Sequence, residues 1–153
     1  MAETFLKTNE RPAKLDDTYT WIGKCRNSGK DKGGIGICLK SDIPVLDDNV
    51  LNSKDDNHER LWVLSRIGNA KTAIGIAYFP NDGIDRDTTD KLMYELLENC
   101  SKLATSGYEI LLMGDFNGKC IEKCQITNFN VMRDLASYNG KRLHQFIEAK
   151  ILL

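Results

Sequence analysis

Histidine is nearly absent from this chain: only His58 and His144 occur, far apart in sequence. A structural zinc site wants a close Cys-x2-Cys pair and two further near ligands, so tetrahedral zinc chemistry is set aside. The five cysteines are odd in number and irregular in spacing, with Cys120 and Cys124 the one close pair. Cys25, Cys38 and Cys100 lie in apolar or semi-apolar runs, where a free thiol behaves as a small hydrophobe. Reduced thiols in a reducing compartment are the plain reading. An excess of one charge is also missing: the formal net charge is -1 and the pI about 6.1. No global basic field announces a nucleic-acid partner, although one basic rim can do that work locally. No apolar run approaches the length of a bilayer span, and no signal-peptide pattern follows Met1. The expectation is a soluble intracellular protein, nuclear or cytoplasmic, without a membrane partner. Internal repeats, low-complexity tracts and linkers are lacking too. At 153 residues and 41% hydrophobic, one core is expected, in a single domain spanning 1–153.

What is present is strand pattern, then helix pattern. "TYTWIGKC", "GGIGICLK", "ERLWVLSRIG" and "TAIGIAYFP" are short, rich in aromatic and β-branched residues, and separated by turn signals. "NSGKDKGG" (27–34) reads as a hairpin connection, and "SDIPVLDDNVLNSKDDNHE" as a long exposed loop with a solvated charge run. The period then changes. In "TTDKLMYELLENCSKLATSG", Leu92, Met93, Leu96, Leu97, Cys100, Leu103 and Ala104 share one helical face. Thr88 or Thr89 offers the N-cap and Gly107 the stop. "YEILLMGDF" follows as a short buried strand, then the looser "GKCIEKCQITNFNVMRD". A last amphipathic helix, "GKRLHQFIEAK", groups Leu143, Phe146 and Ile147. Paired strands, a helix, a buried strand and a helix predict an α/β layered sandwich rather than a doubly wound nucleotide fold.

Asp115 and Asn117 stand at the end of the buried-looking strand, two residues apart. In extended backbone their side chains would leave on one face, with Phe116 turned into the core. Gly114 lets the backbone come close to a neighbour. Oxygen ligands of this kind suit a hard cation, Mg2+ beside phosphate above all. The alternative is a strand running into an Asx-type turn, and the spacing alone favours that turn. Upstream, "GIAYFPNDG" places Tyr78 at a strand end just before the turn signal Pro80-Asn81-Asp82-Gly83. Taken alone, Tyr78 reads as an ordinary rim tyrosine.

Together the two pieces say more. "AYFPN", followed after one helix by "LLMGDFN", resembles the endonuclease/exonuclease/phosphatase superfamily. More closely it is similar to the apurinic-type endonuclease domain of non-LTR (LINE-like) retrotransposon polyproteins. "KGGIGICLK" resembles that family's Gly-Gly strand and "ERLWVL" its Trp-containing strand. "NGKRLHQFIEAKIL" looks like the family's N-G-x-x-L helix, and "AETFLK" like its E-T-x-L motif. The likeness covers nearly the whole chain in the right order, "GDFN" being its most specific part.

The resemblance implies an Mg2+-dependent phosphodiesterase that nicks DNA, fused to a reverse transcriptase in a parent polyprotein. By the same resemblance Glu3 is an Mg2+-binding carboxylate and Tyr78 donates to the scissile phosphate. Asp115 contacts the metal and orients or deprotonates the attacking water. Asn117 holds the phosphate and that water, and Asn81 is a substrate contact at the rim. The chain departs from the family in lacking an amino-terminal strand ending in Asn and a carboxy-terminal Asp-His pair. His144, on an amphipathic helix beside Leu143, reads as a surface residue, and His58 lies in the acidic loop. The expectation is a domain truncated at both ends and weakly active or inactive by itself. The alternatives are a catalytically dead fragment with residual nucleic-acid binding, or an enzyme of the same superfamily acting on a lipid or inositol phosphate.

Overall fold

Strands form where β-branched and aromatic residues cluster, and each of the four early segments becomes one. The computed structural model describes residues 4, 6, 10–24, 33–48, 51, 59–82, 85–119, 124–126, 129–131 and 137–149. Along the chain these give β1 (Tyr19–Lys24), β2 (Ile35–Lys40), β3 (Val45–Asp47), β4 (Arg60–Ile67), β5 (Ala70–Tyr78) and α1 (Arg86–Thr105). There follow β6 (Glu109–Asp115), β7 (Cys124–Ile126), β8 (Phe129–Val131) and α2 (Tyr138–Glu148). The chain divides into two compact units, residues 1–78 with 105–114, and residues 79–104 with 115–153.

In the first unit β1 and β2 pair antiparallel, and a four-stranded sheet runs β3-β4-β5-β6. The β4–β5 hairpin turns in two residues, with Gly68 at φ 60 where a primed turn needs a left-handed residue. One side of the cross-strand pairs builds the core. Leu61 faces Ile76 and Val63 faces Ile74. These four are buried with Ile35, Ile37 and Leu39 of β2, while Ile22 and Tyr78 pack against the cluster. Each such aliphatic side chain contributes on the order of 1.5–3 kcal/mol by leaving water.

The other side is built on tryptophan over glycine. Trp62 lies opposite Gly75, and a Cβ at Gly75 would sit 2.6 Å from the indole. Trp21 covers both Gly23 and Gly36 in the same way, with a Cβ at Gly36 falling 2.1 Å from its ring. Glycine in these strands therefore leaves room for an indole where a side chain would stand. At one end of this unit the buried Glu59 accepts the Gly34 N–H at 2.7 Å and offers its carbonyl to Tyr78 N–H at 2.8 Å.

Two expectations change here. β3 lies inside the stretch read as a loop, because three residues, ending in an aspartate, give no readable alternation. β6 is not a buried strand. Its residues alternate, Ile110 and Leu112 half-buried, Leu111 and Met113 exposed at 45% and 43%. β6 ends the four-strand order, so its unbroken apolar run masks a one-sided strand.

In the second unit α1 starts before either threonine. Asp85 accepts the N–H of Thr88 at 2.9 Å, and the Thr88 hydroxyl donates back to the same carboxylate. Asp85 is thus the N-cap, and Thr88 serves at the third helical position. Of the expected apolar face Leu92, Met93, Leu96, Cys100 and Leu103 are buried, whereas Leu97 is half-buried and Ala104 is exposed, and Gly107 at φ 77 ends the helix. Burial pushes the Cys100 thiol up to about 12. β7 and β8 form a short antiparallel pair within the segment read as loose. Ser137 caps α2 by accepting the Gly140 N–H. His144 is only 8% exposed, which corrects its reading as a surface residue. Its Nδ1 faces Glu148 at 3.2 Å, four residues on.

The indole contacts yield a paired expectation. Gly75→Ala pushes a methyl into Trp62, which is buried and has nowhere to go, and should cost about 1–3 kcal/mol. Gly36→Ala meets the half-exposed Trp21, which can swing outward, and should cost less. Urea unfolding of both variants tests the order; equal losses would mean that the indoles are not what these glycines accommodate.

Candidate active site

The two motif segments meet inside the second unit through their backbones. Phe79, the residue after β5, donates its N–H to the Asp115 carbonyl at 2.9 Å. Asn117 returns the link by donating Nδ2 to the Phe79 carbonyl at 2.8 Å. The two phenyl rings then meet edge to face, Phe79 against Phe116 with centroids 5.2 Å apart. Phe79 is buried and Phe116 half-buried, so Phe116 reaches a ring contact rather than the deep core expected for it.

Gly114 is required by the approach of β6 to β5. A Cβ there would stand 2.1 Å from the Ala77 carbonyl oxygen, a backbone atom that cannot step aside alone. The close neighbour is therefore the adjoining strand. Directly after it the chain turns. Asp115 accepts the Asn117 N–H on Oδ1 at 2.9 Å, and Asn117 adopts φ 45. This is an Asx-type turn, and asparagine is a residue that tolerates the left-handed conformation without a glycine. The extended, same-face arrangement read from the sequence is replaced by this turn.

The turn leaves usable chemistry. Asp115 is exposed, with Oδ1 engaged and Oδ2 pointing to no hydrogen-bond partner among the described residues. Asn117 is half-buried, its amide nitrogen held by Phe79, so its Oδ1 and one N–H are what it can offer. Asn81 is exposed in the neighbouring turn. Its neighbour Asp82 accepts the Asn139 N–H at 2.7 Å, placing a carboxylate at the start of α2. Tyr78 belongs to the first unit, where its side chain packs on the β2–β4–β5 core cluster. Glu3 lies outside the described residues; the following Thr4 donates its N–H to the Gly34 carbonyl at 3.0 Å. Among the described residues no group of three or more His, Cys, Asp or Glu side chains gathers closely enough to cage a metal.

Two features escaped the sequence. Asn139 is fully buried, and its amide bridges the Pro80 and Phe116 carbonyls at 2.9 and 3.0 Å. The visible signal was the Asn-Gly pair that opens the N-G-x-x-L stretch, which marks a helix start and says nothing of a brace. The second is a charge cluster: Asp90 accepts from Arg142 Nε at 2.6 Å and from Tyr138 Oη at 2.7 Å. The Arg86 guanidinium lies 4.9 Å from the Tyr138 ring centroid. Hydrogen bonds from Arg142 and then Tyr138 hold the Asp90 carboxyl below its ordinary value, and the Asp90 carboxylate raises the Tyr138 phenol.

No protein-family model matches the sequence, and no curated protein matches it. Solved structures do. An endonuclease/exonuclease/phosphatase family protein from Bacteroides thetaiotaomicron is 18% identical with TM-score 0.52, over 71% of this chain and 43% of its own. The endonuclease domain of TRAS1, a telomere-specific non-LTR retrotransposon, is 15% identical with TM-score 0.55, over 86% of this chain and 52% of its own. TDP2 from C. elegans is 14% identical with TM-score 0.51, over 72% of this chain and 34% of its own. The fold is that of the endonuclease/exonuclease/phosphatase proteins. This chain spans from about a third to about half of the length of those neighbours. The α/β layered class read from paired strands followed by a helix, a strand and a helix stands with it. Among the described residues no helix is long and apolar enough to cross a membrane.

Asp90 generates a pH expectation. Its folded-state pKa is depressed, so the stability it brings is present above the ordinary value of 3.8 and is lost as pH falls through the lower folded value. The melting-temperature gap between the wild type and Asp90→Asn should be flat near neutrality and close only below that ordinary value. A gap that closes between pH 5 and 7 would assign the cluster's pH response to another group.

Proposed function

We propose that this chain carries a metal-dependent phosphodiester hydrolase site and that its substrate is DNA. The observation that carries the reading is the exposed Asp115 carboxylate, set on a turn that Phe79 and Asn117 fix at the end of β6. The fold likeness to endonuclease/exonuclease/phosphatase proteins, a retrotransposon endonuclease domain among them, supports the reaction class. By the same reasoning the chain is the endonuclease part of a retrotransposon-like protein, joined to a reverse transcriptase.

Mg2+ suits the donors available. It takes one or two carboxylates, keeps several waters and completes its shell with substrate phosphate oxygens. Asp115 Oδ1, which keeps a second lone pair beside the Asn117 N–H, and Asn117 Oδ1 are hard oxygen donors of that kind, and Glu3 is proposed as the second carboxylate. When bound, the ion would polarise the phosphoryl oxygens and offset charge developing there. Asp115 accepts the proton of the attacking water on the oxygen that the turn leaves uncommitted. Asn117 keeps that carboxylate in place through its N–H and directs its own amide toward the phosphate and the water. Asn81 contacts the substrate backbone from the adjoining turn, and Tyr78 donates its phenolic proton to the scissile phosphate.

Nicking of supercoiled plasmid with Mg2+, with and without chelator, is the test. Asp115→Ala should abolish cleavage, since a positioned general base contributes about 10²–10⁴-fold. Asn117→Ala should lower it sharply and Tyr78→Phe less, because the phenol supplies one donor and leaves the ion in place. Chelator-sensitive cleavage of equal rate in wild type and Asp115→Ala would remove this turn from the reaction.

A further inference from the structure

Asn139 stands at the start of α2 with no exposed surface and every polar atom of its side chain engaged. Its Nδ2 donates to the Pro80 carbonyl at 2.9 Å and to the Phe116 carbonyl at 3.0 Å. Its Oδ1 lies 3.3 Å from the Thr89 hydroxyl, a donor shared with the Asp85 carbonyl at 3.0 Å, and its backbone N–H is held by Asp82 at 2.7 Å. The two carbonyls are not arbitrary ones. Pro80 directly precedes Asn81, and Phe116 lies between Asp115 and Asn117.

Few side chains meet this demand. Two carbonyl oxygens need two N–H donors fixed in one plane, and the remaining position, beside the Thr89 hydroxyl, suits an oxygen. A primary amide supplies all three. Aspartate has the same shape but would set acceptor against acceptor at both carbonyls. Glutamine adds a methylene that a fully buried site has no space for. Serine or alanine would strand buried carbonyls without donors.

We infer that Asn139 is a positioning residue of the proposed phosphodiester site: it fixes the Pro80–Asn81 and Phe116–Asn117 backbones at one separation. The inference rests on the hydrolase reading for its catalytic consequence, and on geometry alone for the clamp. Asp115 Oδ1 is bound to the Asn117 N–H, so a shift of the Phe116–Asn117 peptide rotates the carboxylate. Asn139 thereby sets the direction of the carboxylate without touching substrate. The helix that carries it also begins on Asp82 of the same upstream turn, so both turns and α2 are mutually referenced.

The test uses the full chain as wild type and Asn139→Asp, with amide hydrogen exchange and plasmid nicking measured side by side. Exchange at Asn117 and Phe79 should accelerate about tenfold or more, the scale of one lost hydrogen bond, while Val63 and Ile74 in the β4–β5 ladder stay unchanged. In nicking, kcat should fall by about tenfold or more with KM within about twofold, the mark of a group that acts in the transition state. Unchanged exchange at Asn117 and Phe79 would overturn the clamp. Uniform acceleration across the second unit, with activity tracking the folded fraction, would overturn positioning in favour of plain stability. A wild type that neither nicks nor shows Mg2+-induced shifts at Asp115 would defeat the hydrolase reading, and the exchange data would still decide the clamp. Should Asn139→Asp fail to fold, through-hydrogen-bond couplings from Asn139 Nδ2 to the Pro80 and Phe116 carbonyls in the wild type decide instead. Their presence upholds the clamp and their absence ends it.

Discussion

The hydrogen bond from the Phe79 N–H to the Asp115 carbonyl is the constraint on which the candidate site depends. It fixes the residue after β5 against the last residue of β6, across 36 residues of sequence that include all of α1. The Asn117 amide, the Phe79–Phe116 ring contact and the Asn139 bridge all presuppose that alignment. Gly114 makes the approach sterically possible one residue earlier, where any side chain would strike the Ala77 carbonyl. A backbone bond is well suited to this duty. Side chains around it can change while the separation of the two turns persists.

The strands were legible because their residues carried the pattern redundantly. Trp21, Ile22, Trp62, Val63, Ile74 and Ile76 all favour a pleated, half-buried surface, and the turn residues between them agree. The α1 face was legible from Leu92, Leu96 and Leu103 for the same reason. Failures fell where one residue decided the outcome. Asp85 won the N-cap over Thr88 and Thr89 because its carboxylate reaches the third N–H and receives the Thr88 hydroxyl as well. The run Ile110–Met113 looked buried because composition does not reveal whether a second face is covered. His144 looked exposed because helical periodicity places a residue on a face and says nothing about what packs there.

The site was half legible for a related reason. "GDFN" and "YFPN" announced which residues carry oxygen and amide groups, and the order of the motifs pointed to the fold. Their geometry was hidden. The sequence posed the turn and the ligand pair as alternatives, whereas the structure has the turn and leaves Asp115 Oδ2 uncommitted within it. An Asx turn engages one carboxylate oxygen and presents the other, so the turn and the proposed proton transfer draw on different atoms of one side chain. Asn139 was invisible because its role is set by two carbonyls 36 residues apart, Pro80 and Phe116, and no local spacing encodes such a pair.

The packing of indoles against glycines has a spectroscopic consequence. The chain has two tryptophans, Trp21 and Trp62, and both belong to the first unit. Trp62 is buried and Trp21 half-exposed, so their emission maxima should differ in the native state and merge on denaturation. Fluorescence excited at the red edge of the indole band is therefore a private reporter of the β-rich unit. The helices, whose ellipticity dominates far-ultraviolet dichroism, belong almost wholly to the other unit. Two ordinary optical signals thus divide between the two halves of the chain without any label, and the coincidence or separation of their transitions measures how cooperatively those halves unfold.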